Sequence, residues 1–504
     1  GTGGEVLLIT GSWTGPARKA LLDKFLGGFQ SAKHVSLEPL TDYQWQGSVE
    51  KSFGWRSPPL YRFDRARQIV LLGSDPLAIS TQRMMYLRDF ASRRDPEGEW
   101  MSRVVSFEPV FSESGSMADI RYPVRTADLY KIAGALARII VYETGYRPDG
   151  GIQFKLDDFI FDQIEQELNL PRLTIGSLAA RLLENRGKCL LVSENFSNQG
   201  ANGRKLHALV NLLNDALDAP GNTLITNALP ETCKSGGPES ISEAISRMRS
   251  GKVETVIVAG TNPEFVLPPE SGFAEALAAV PVKIALTDRI DETAALCDYV
   301  LPTLHAAESW NDTEPLAGVY SLQQPLITPI WVNRQLEQSL INIGYSCGNT
   351  EFAKGETAIR WSDMLKDFWR GNIYPASGAA GDFESWWVKA LQRGVAEMPA
   401  TDTDKQPARF SMEALAVLSE PDKKSEGFEL RIGAGSIHLD GRSMNNAWLL
   451  ETPQPVTRVA WENYLSIASS EANKMGVEDG DIVSLSVNGN SVQVPVLVQP
   501  GMAA

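Results

Sequence analysis

Two short apolar runs in this chain end in the same way. Val256-Ile257-Val258-Ala259 stops at Gly260-Thr261-Asn262-Pro263, and Ile69-Val70-Leu71-Leu72 stops at Gly73-Ser74-Asp75-Pro76. An apolar, β-branched run broken at once by Gly and Pro reads as a buried parallel strand followed by its exit loop. The echo continues downstream, where Glu113, Asp119 and Pro123 have the same spacing as Glu292, Asp298 and Pro302. Two matches in the same order predict a duplicated, Rossmann-like α/β unit. Ligands in such sheets sit beyond the carboxyl ends of the strands. The expected pocket residues are therefore Gly73 and Asp75 in the first copy, and Gly260, Asn262, Asp288 and Asp298 in the second, with His305 and Glu308 close behind.

In the repeated loop, Gly permits close backbone approach, Ser/Thr and Asp/Asn offer hydrogen-bonding groups, and Pro fixes the exit. The acid or amide suits a guanine or ribose edge. Asx residues also cap ordinary turns, and spacing alone leaves both roles open.

Strands are expected at Glu5–Thr10, Gln68–Leu72 and 103–107 in the first unit, and at Cys189–Val192, 256–259, 282–286 and 299–301 in the second. Helices are expected at Pro16–Gly27, 80–93, 128–142, 154–168, 173–184, 204–217, 331–343 and 361–369. Segments 402–406 and 421–426 read as charged linkers, and Trp386-Trp387 as an apolar anchor. From Phe428 the period shifts to strands (FELRIG, SIHLDG, IVSLSVNG, SVQVPVLVQ), with a hairpin signal at Asn488-Gly489-Asn490. The expected division is a first Rossmann-like unit at 1–148, a second with a helical bridge at 149–330, a helical and loop connector at 331–425, and a small β-barrel at 426–504.

A length of 504 residues is too great for one core, and a net charge of −15 argues against a nucleic-acid partner. Cys189, Cys233, Cys297 and Cys347 lie far apart, without the spacing of a cluster or zinc ligand set, and read as small buried hydrophobes. His34, His207, His305 and His438 are equally scattered. No catalytic residue and no metal ligand is assigned. No apolar run has the length of a membrane span. The opening GTGGEVLLITGSW and the ending VPVLVQPGMAA read as a piece of a longer polypeptide.

Taken together, GSDP, GTNPEF, DETAALCDYVLPTLHAAESWND and MGVEDGDIVSL…VQVPVLVQPG resemble the molybdopterin oxidoreductase superfamily. FEPVFSESGSMADIRYPVR (107–125), the run from Glu308 to Trp331, and DGRSMNNAWLLETPQPVTRVAWEN (440–463) are most similar to the large molybdopterin-like, iron–sulfur subunit of alternative complex III. The resemblance covers nearly the whole chain. It implies two Rossmann-like domains capped by a barrel, and, for that subfamily, a scaffold without a molybdenum cofactor. The implied partners are a ferredoxin-like iron–sulfur domain, a multiheme cytochrome c subunit and polytopic quinol-binding membrane subunits. The implied location is the periplasmic face of the bacterial inner membrane. Active members present a metal ligand early in the fold. The matching window, PLTDYQWQGSVEKSFG (39–54), has no Cys and offers only Asp42 and Ser48. The alternative expectation is an active enzyme of the polysulfide or tetrathionate reductase type, with a molybdenum bis-pterin guanine dinucleotide held by one of those two.

Overall fold

The apolar runs form the strands expected of them. In the computed structural model, which describes residues 4–55, 57–147, 156–226, 228–230, 238–399, 409–422 and 427–503, the first strands are β1 (Glu5–Thr10), β2 (Ala32–Ser36), β3 (Leu60–Tyr61), β4 (Gln68–Leu72), β5 (Arg103–Glu108) and β6 (Ile120–Pro123). They are followed by β7 (Cys189–Val192), β8 (Leu224–Ile225), β9 (Val253–Ala259), β10 (Val282–Thr287) and β11 (Tyr299–Pro302). The chain divides into two compact units, each built from two segments: 1–41 with 227–403, and 42–226 with 404–504.

Unit 1 holds a five-stranded parallel sheet in the order β11-β10-β9-β1-β2. Its central strands are apolar at nearly every position because both faces are covered. Leu7, Ile9, Val256 and Val258 face a layer containing Ile245, Phe273 and Leu277. Leu8 and Ile257 point the other way, into a layer with Leu21, Phe25, Leu340, Trp361 and Trp369. Unit 2 holds a four-stranded parallel sheet in the order β6-β5-β4-β7. The helices Leu129–Thr144 and Gly200–Ala216 pack together in this unit, and bury Leu136, Ile140, Leu209 and Leu213.

The duplication is present: β4-β5-β6 and β9-β10-β11 repeat the same parallel order. The contiguous division expected from the sequence is not the one observed. β1, read as the opening strand of the first unit, pairs with β9, and β7, read as the opening strand of the second, pairs with β4. EVLLIT and CLLV are both strongly apolar runs, and hydropathy alone does not say which neighbour each one pairs with.

Residues 331–399 are not a connector. Trp361, Trp369, Phe383 and Trp387 fill one face of the unit 1 core, with Trp387 edge-on to Trp369 at 5.6 Å. The tryptophan anchor therefore serves the chain's own interior. The helix expected at 331–343 starts at Leu336 and runs to Ser346. Three further strands, β12 (Asn311–Leu316), β13 (Val319–Gln323) and, after the short hairpin β14 (Ala353–Lys354) and β15 (Thr357–Ala358), β16 (Val395–Glu397), form an antiparallel sheet in unit 1.

The C-terminal region is also simpler than expected. Its described residues form a three-stranded sheet, β17-β19-β18, from β17 (Leu465–Ala468), β18 (Ile482–Val487) and β19 (Asn490–Gln499). FELRIG and SIHLDG do not join it. Both runs end in Gly, and FELRIG uses its charged residues for contacts with the rest of unit 2. The start of the helix expected at 154, the linker at 402–406, part of that at 421–426, and Cys233 lie outside the described residues. No helix among the described residues is long and apolar enough to cross a membrane.

Candidate functional site

In an open α/β sheet the ligand crevice lies where neighbouring strands send their connections to opposite sides. Unit 1 has that point between β1 and β9, and unit 2 has it between β4 and β7. The exit loops at these points are Gly11–Gly15 with Gly260–Pro263, and Gly73–Pro76 with Ser193–Gln199.

The two repeated loops are built alike. Gly73 and Gly260 both have φ of 66°, a conformation costly for any residue with a Cβ. Gly73 N donates to Phe107 O at 2.8 Å, and Gly260 N to Leu286 O at 2.9 Å. Asp75 Oδ1 accepts from Ser114 N at 2.9 Å and Ser114 Oγ at 2.5 Å. Asn262 Oδ1 accepts from Thr293 N at 3.2 Å and Thr293 Oγ1 at 2.7 Å. Each hydroxyl in turn accepts a backbone N–H from the loop, Leu77 N at 3.1 Å and Glu264 N at 3.0 Å. The Asx side chain therefore ties its loop to the exit of the next strand. Burial pushes the Asp75 carboxyl up.

Asp298 does not belong with these residues. Its Oδ2 accepts from Lys283 N at 2.9 Å, at the amino end of β10. Asp119 does the same to Val104 N at 2.7 Å in the other copy. Both lie at the opposite edge of the sheet from the crevice, because each immediately precedes its strand. Asp288 does sit at the carboxyl end of β10, where it is paired with Arg289 at 2.8 Å; that hydrogen bond holds its carboxyl below the usual range. His305 and Glu308 form a reciprocal capping box, and Glu308 Oε1 also accepts Ile330 N at 2.7 Å.

The side chains that dominate the two crevices lie outside the repeated loops. In unit 1, the helix Pro16–Gly27 begins directly after the β1 exit loop, the position where first-turn N–H groups bind a phosphate. The carboxylate of Asp312 occupies it. Its Oδ2 accepts from Ala17 N and from Trp369 Nε1, both at 3.1 Å. Burial pushes this carboxyl up to about 6. A Cβ on Gly15 would lie 2.4 Å from Asp312 O and 2.5 Å from its Oδ1. Gly15→Ala is expected to destabilise unit 1 by about 2–3 kcal/mol in urea unfolding, since backbone and not a flexible side chain must give way.

In unit 2, Asp42 caps its own helix and lies beside the loop that leads into the helix Gly200–Ala216. It is 5% exposed. Its Oδ1 accepts from Trp45 N at 2.9 Å and Gln199 Nε2 at 3.1 Å, and its Oδ2 accepts from Asn195 N at 2.9 Å. His207 Nε2 lies 3.6 Å from Asp42 Oδ2, and His207 Nδ1 lies 3.0 Å from Ser193 Oγ. Burial pushes His207 down and Asp42 up. The neighbouring Glu194, hydrogen-bonded to the Tyr61 phenol, is pushed up to about 8 by burial and by Asp42.

Further hydrogen bonds close the crevice itself. Ser74 Oγ donates to Glu194 O at 2.6 Å, and Asn195 Nδ2 donates to Gly73 O at 2.7 Å. A Cβ at Gly73 would meet Leu129 Cδ1 at 2.5 Å and Asn198 Oδ1 at 2.9 Å, so the chain's own side chains fill the space this glycine leaves. Arg431 is flanked by Asp75, Glu108 and Glu429, and Ser197 Oγ donates to Ile432 O at 2.5 Å. The FELRIG run thus lies against this end of the sheet.

At both crevices an anion would meet a carboxyl of the chain: Asp312 takes a first-turn N–H of the helix Pro16–Gly27, and Asp42 takes the N–H of Asn195 in the β7 exit loop. The early ligand candidates fit no better, since Asp42 is fully engaged and Ser48 Oγ accepts Asn211 Nδ2 at 3.2 Å from within a helix. Among the described residues no group of three or more His, Cys, Asp or Glu is placed to hold a metal ion. Cys189 is buried and pushed up to about 12. Glu194 is not among the residues that the sequence marks, and Asp312 closes the ESWND run without being singled out as a site residue. The one local sign is Gly15-Pro16, a glycine at a helix entry with no capping side chain of its own.

No protein-family model matches the chain. Among curated proteins it is similar to the menaquinone reductase molybdopterin-binding-like subunit of Nitratidesulfovibrio vulgaris, with 23% identity over 469 residues, 88% of this chain and 64% of that protein. It therefore spans a little under two thirds of that relative's length. Among solved structures it is similar to acetylene hydratase from Pelobacter acetylenicus, with a TM-score of 0.65 over 98% of this chain and 77% of that one, at 10% identity. The expected molybdopterin oxidoreductase-like α/β fold is the one observed, and the chain is related to molybdopterin-type oxidoreductases.

Proposed function

We propose that this relative of molybdopterin-type oxidoreductases is a cofactor-free scaffold within a quinone-linked electron-transfer complex of the alternative complex III type. One observation carries the reading. In each half of the duplicated fold a carboxyl of the chain takes a backbone N–H beside the crevice, Asp312 from Ala17 at the start of its helix and Asp42 from Asn195 in the β7 exit loop. The fold is kept as a framework, and the redox groups belong to partners: an iron–sulfur domain, a multiheme cytochrome c subunit and quinol-binding membrane subunits. The similarity to a subunit of a menaquinone reductase supports a role in a multisubunit assembly. A peripheral position on the periplasmic face of the inner membrane goes with that role.

The test is elemental analysis for molybdenum and tungsten in the purified native complex, together with fluorescence of oxidised pterin in its extract. Both are expected far below one per chain. Stoichiometric metal or pterin overturns the scaffold reading.

A further inference from the structure

The two faces of the unit 1 sheet are packed with different chemistry. One is covered by Ile, Leu, Val, Ala and Met side chains with a single ring, Phe273. The other buries Trp361, Trp369 and Trp387 and has Tyr320 and Tyr374 packed against them. Filling space does not call for these rings. Leucine and phenylalanine fill it too, without a polar hydrogen that needs a partner.

Two neighbouring rings of this layer give that hydrogen to a carboxyl. Trp369, fully buried, donates from Nε1 to Asp312 Oδ2 at 3.1 Å, and the phenol of Tyr320, half-buried, donates to Glu314. Both acids lie on β12, two residues apart. The ring centroids of Trp369 and Tyr320 are 6.3 Å apart, with the planes at 76°. Ring contacts also lead the other way, from Trp369 to Trp386 at 6.1 Å and on to Tyr374 at 5.3 Å. There the Tyr374 hydroxyl donates to Gly381 O at 2.6 Å, a backbone carbonyl that cannot hold a proton. Asp312 has a further peculiarity: its Oδ1 is buried and has no hydrogen-bond partner among the described residues. An under-satisfied buried carboxyl calls for a role beyond packing. Arg18, itself paired with Glu337, faces the same carboxyl. Burial brings Asp312 up to about 6, so at neutral pH it is ionised and holds a proton more readily than an ordinary aspartate.

We infer that Trp369 and Tyr320 form a one-electron relay that carries an oxidising equivalent out of the unit 1 core, with Asp312 and Glu314 holding the protons. A peroxide-derived radical takes one electron from the Trp369 indole and is reduced by it. The Nε1 proton passes to Asp312 Oδ2 and leaves a neutral indolyl radical. Tyr320 then gives that ring an electron, its phenol proton goes to Glu314, and the proton on Asp312 returns to Nε1. The phenoxyl radical takes one electron from a thiolate or ascorbate in solution, and Glu314 gives its proton back. One electron has passed from the solution reductant to the oxidant, and both rings are restored. The source of the oxidant rests on the reading of this chain as part of a redox assembly; the relay is tested without any partner.

The experiment uses the full chain with Cys233→Ser and Cys297→Ser. A ruthenium polypyridyl sensitiser is attached to Cys347, exposed at the end of the helix Leu336–Ser346. Flash photolysis with an oxidative quencher supplies the one-electron oxidant. The expected result is a tyrosyl radical in the electron paramagnetic resonance spectrum that is lost in Tyr320→Phe and kept in Tyr374→Phe. In Tyr320→Phe the neutral indolyl radical of Trp369 is expected to remain. Adding Asp312→Asn, which can accept the indole hydrogen bond but not the proton, is expected to convert it to the protonated radical cation. A parent without a tyrosyl radical, or a signal that survives Tyr320→Phe, overturns the inference. So does an indole radical that Asp312→Asn leaves unchanged.

Discussion

Replacing Asp42 by alanine is expected to lower the stability of unit 2 by about 3–5 kcal/mol, because it strips the partner from several buried donors at once. Trp45 N, Asn195 N and Gln199 Nε2 all donate to this carboxylate. Each donor left without an acceptor costs roughly 1–3 kcal/mol when water cannot replace it. Asp42→Asn keeps one acceptor oxygen and the shape, and is expected to lose about half as much. The measurement is urea unfolding followed through Trp45 and Trp55, which both lie in this unit. Were Asp42 a ligand awaiting a metal, its removal would relieve a buried charge and leave stability unchanged or improved. A change within about 0.5 kcal/mol would therefore sink the clamp reading.

The second large effect is on the pH dependence of stability. Glu194 ordinarily titrates near 4.5, and in the folded chain it is pushed up to about 8 by burial and by Asp42. A raised carboxyl binds more protons folded than unfolded between those two values. Its contribution is thus fully present below pH 4.5 and is lost as pH rises toward 8. A tenfold change in proton affinity on folding is worth about 1.4 kcal/mol, and with partial hydration of the carboxyl a loss of about 2–3 kcal/mol is expected across the window. Glu194→Gln keeps an acceptor for the Tyr61 phenol and cannot ionise. The variant is expected to exceed the parent in stability at pH 8–9 by roughly that amount, and to lose the advantage near pH 4. Parallel curves for parent and variant across pH 4–9 would show that Glu194 is solvated and unimportant. Asp312, pushed up to about 6, contributes with the same sign over a narrower window in unit 1.

On the scaffold reading proposed above, Asp42 and Asp312 give a sheet of this kind a way to do without a ligand and keep its shape. A helix start and a strand exit leave backbone donors that need an acceptor. A bound phosphate is one solution, and an acid carried on a remote segment is another. In this chain the acids come from the start of a helix (Asp42) and from a strand far along the sequence (Asp312). The loops can then stay in the geometry of a binding site while their donors are occupied.

The sequence by itself determined the strands and the repeat. IVLLGSDP and VIVAGTNP show the breakpoints because Gly and Pro act locally, and the Glu, Asp and Pro spacing shows the duplication because the copies run without a gap from β5 to β6 and from β10 to β11. It also puts Asp75 and Asn262 in their loops. Only the tertiary structure decided which strands pair, since β1 and β7 are interchangeable in hydropathy and their partners lie far away in sequence. Only it moved Asp298 to the opposite edge of the sheet from the crevice, because the side on which a residue lies depends on whether it precedes or follows its strand. And only it brought Asp312 to the first turn of a helix almost three hundred residues earlier. The ESWND run marks the stretch but not the partner: an acid in a strand shows no sign of the helix it will meet until the fold sets it against unpaired N–H groups.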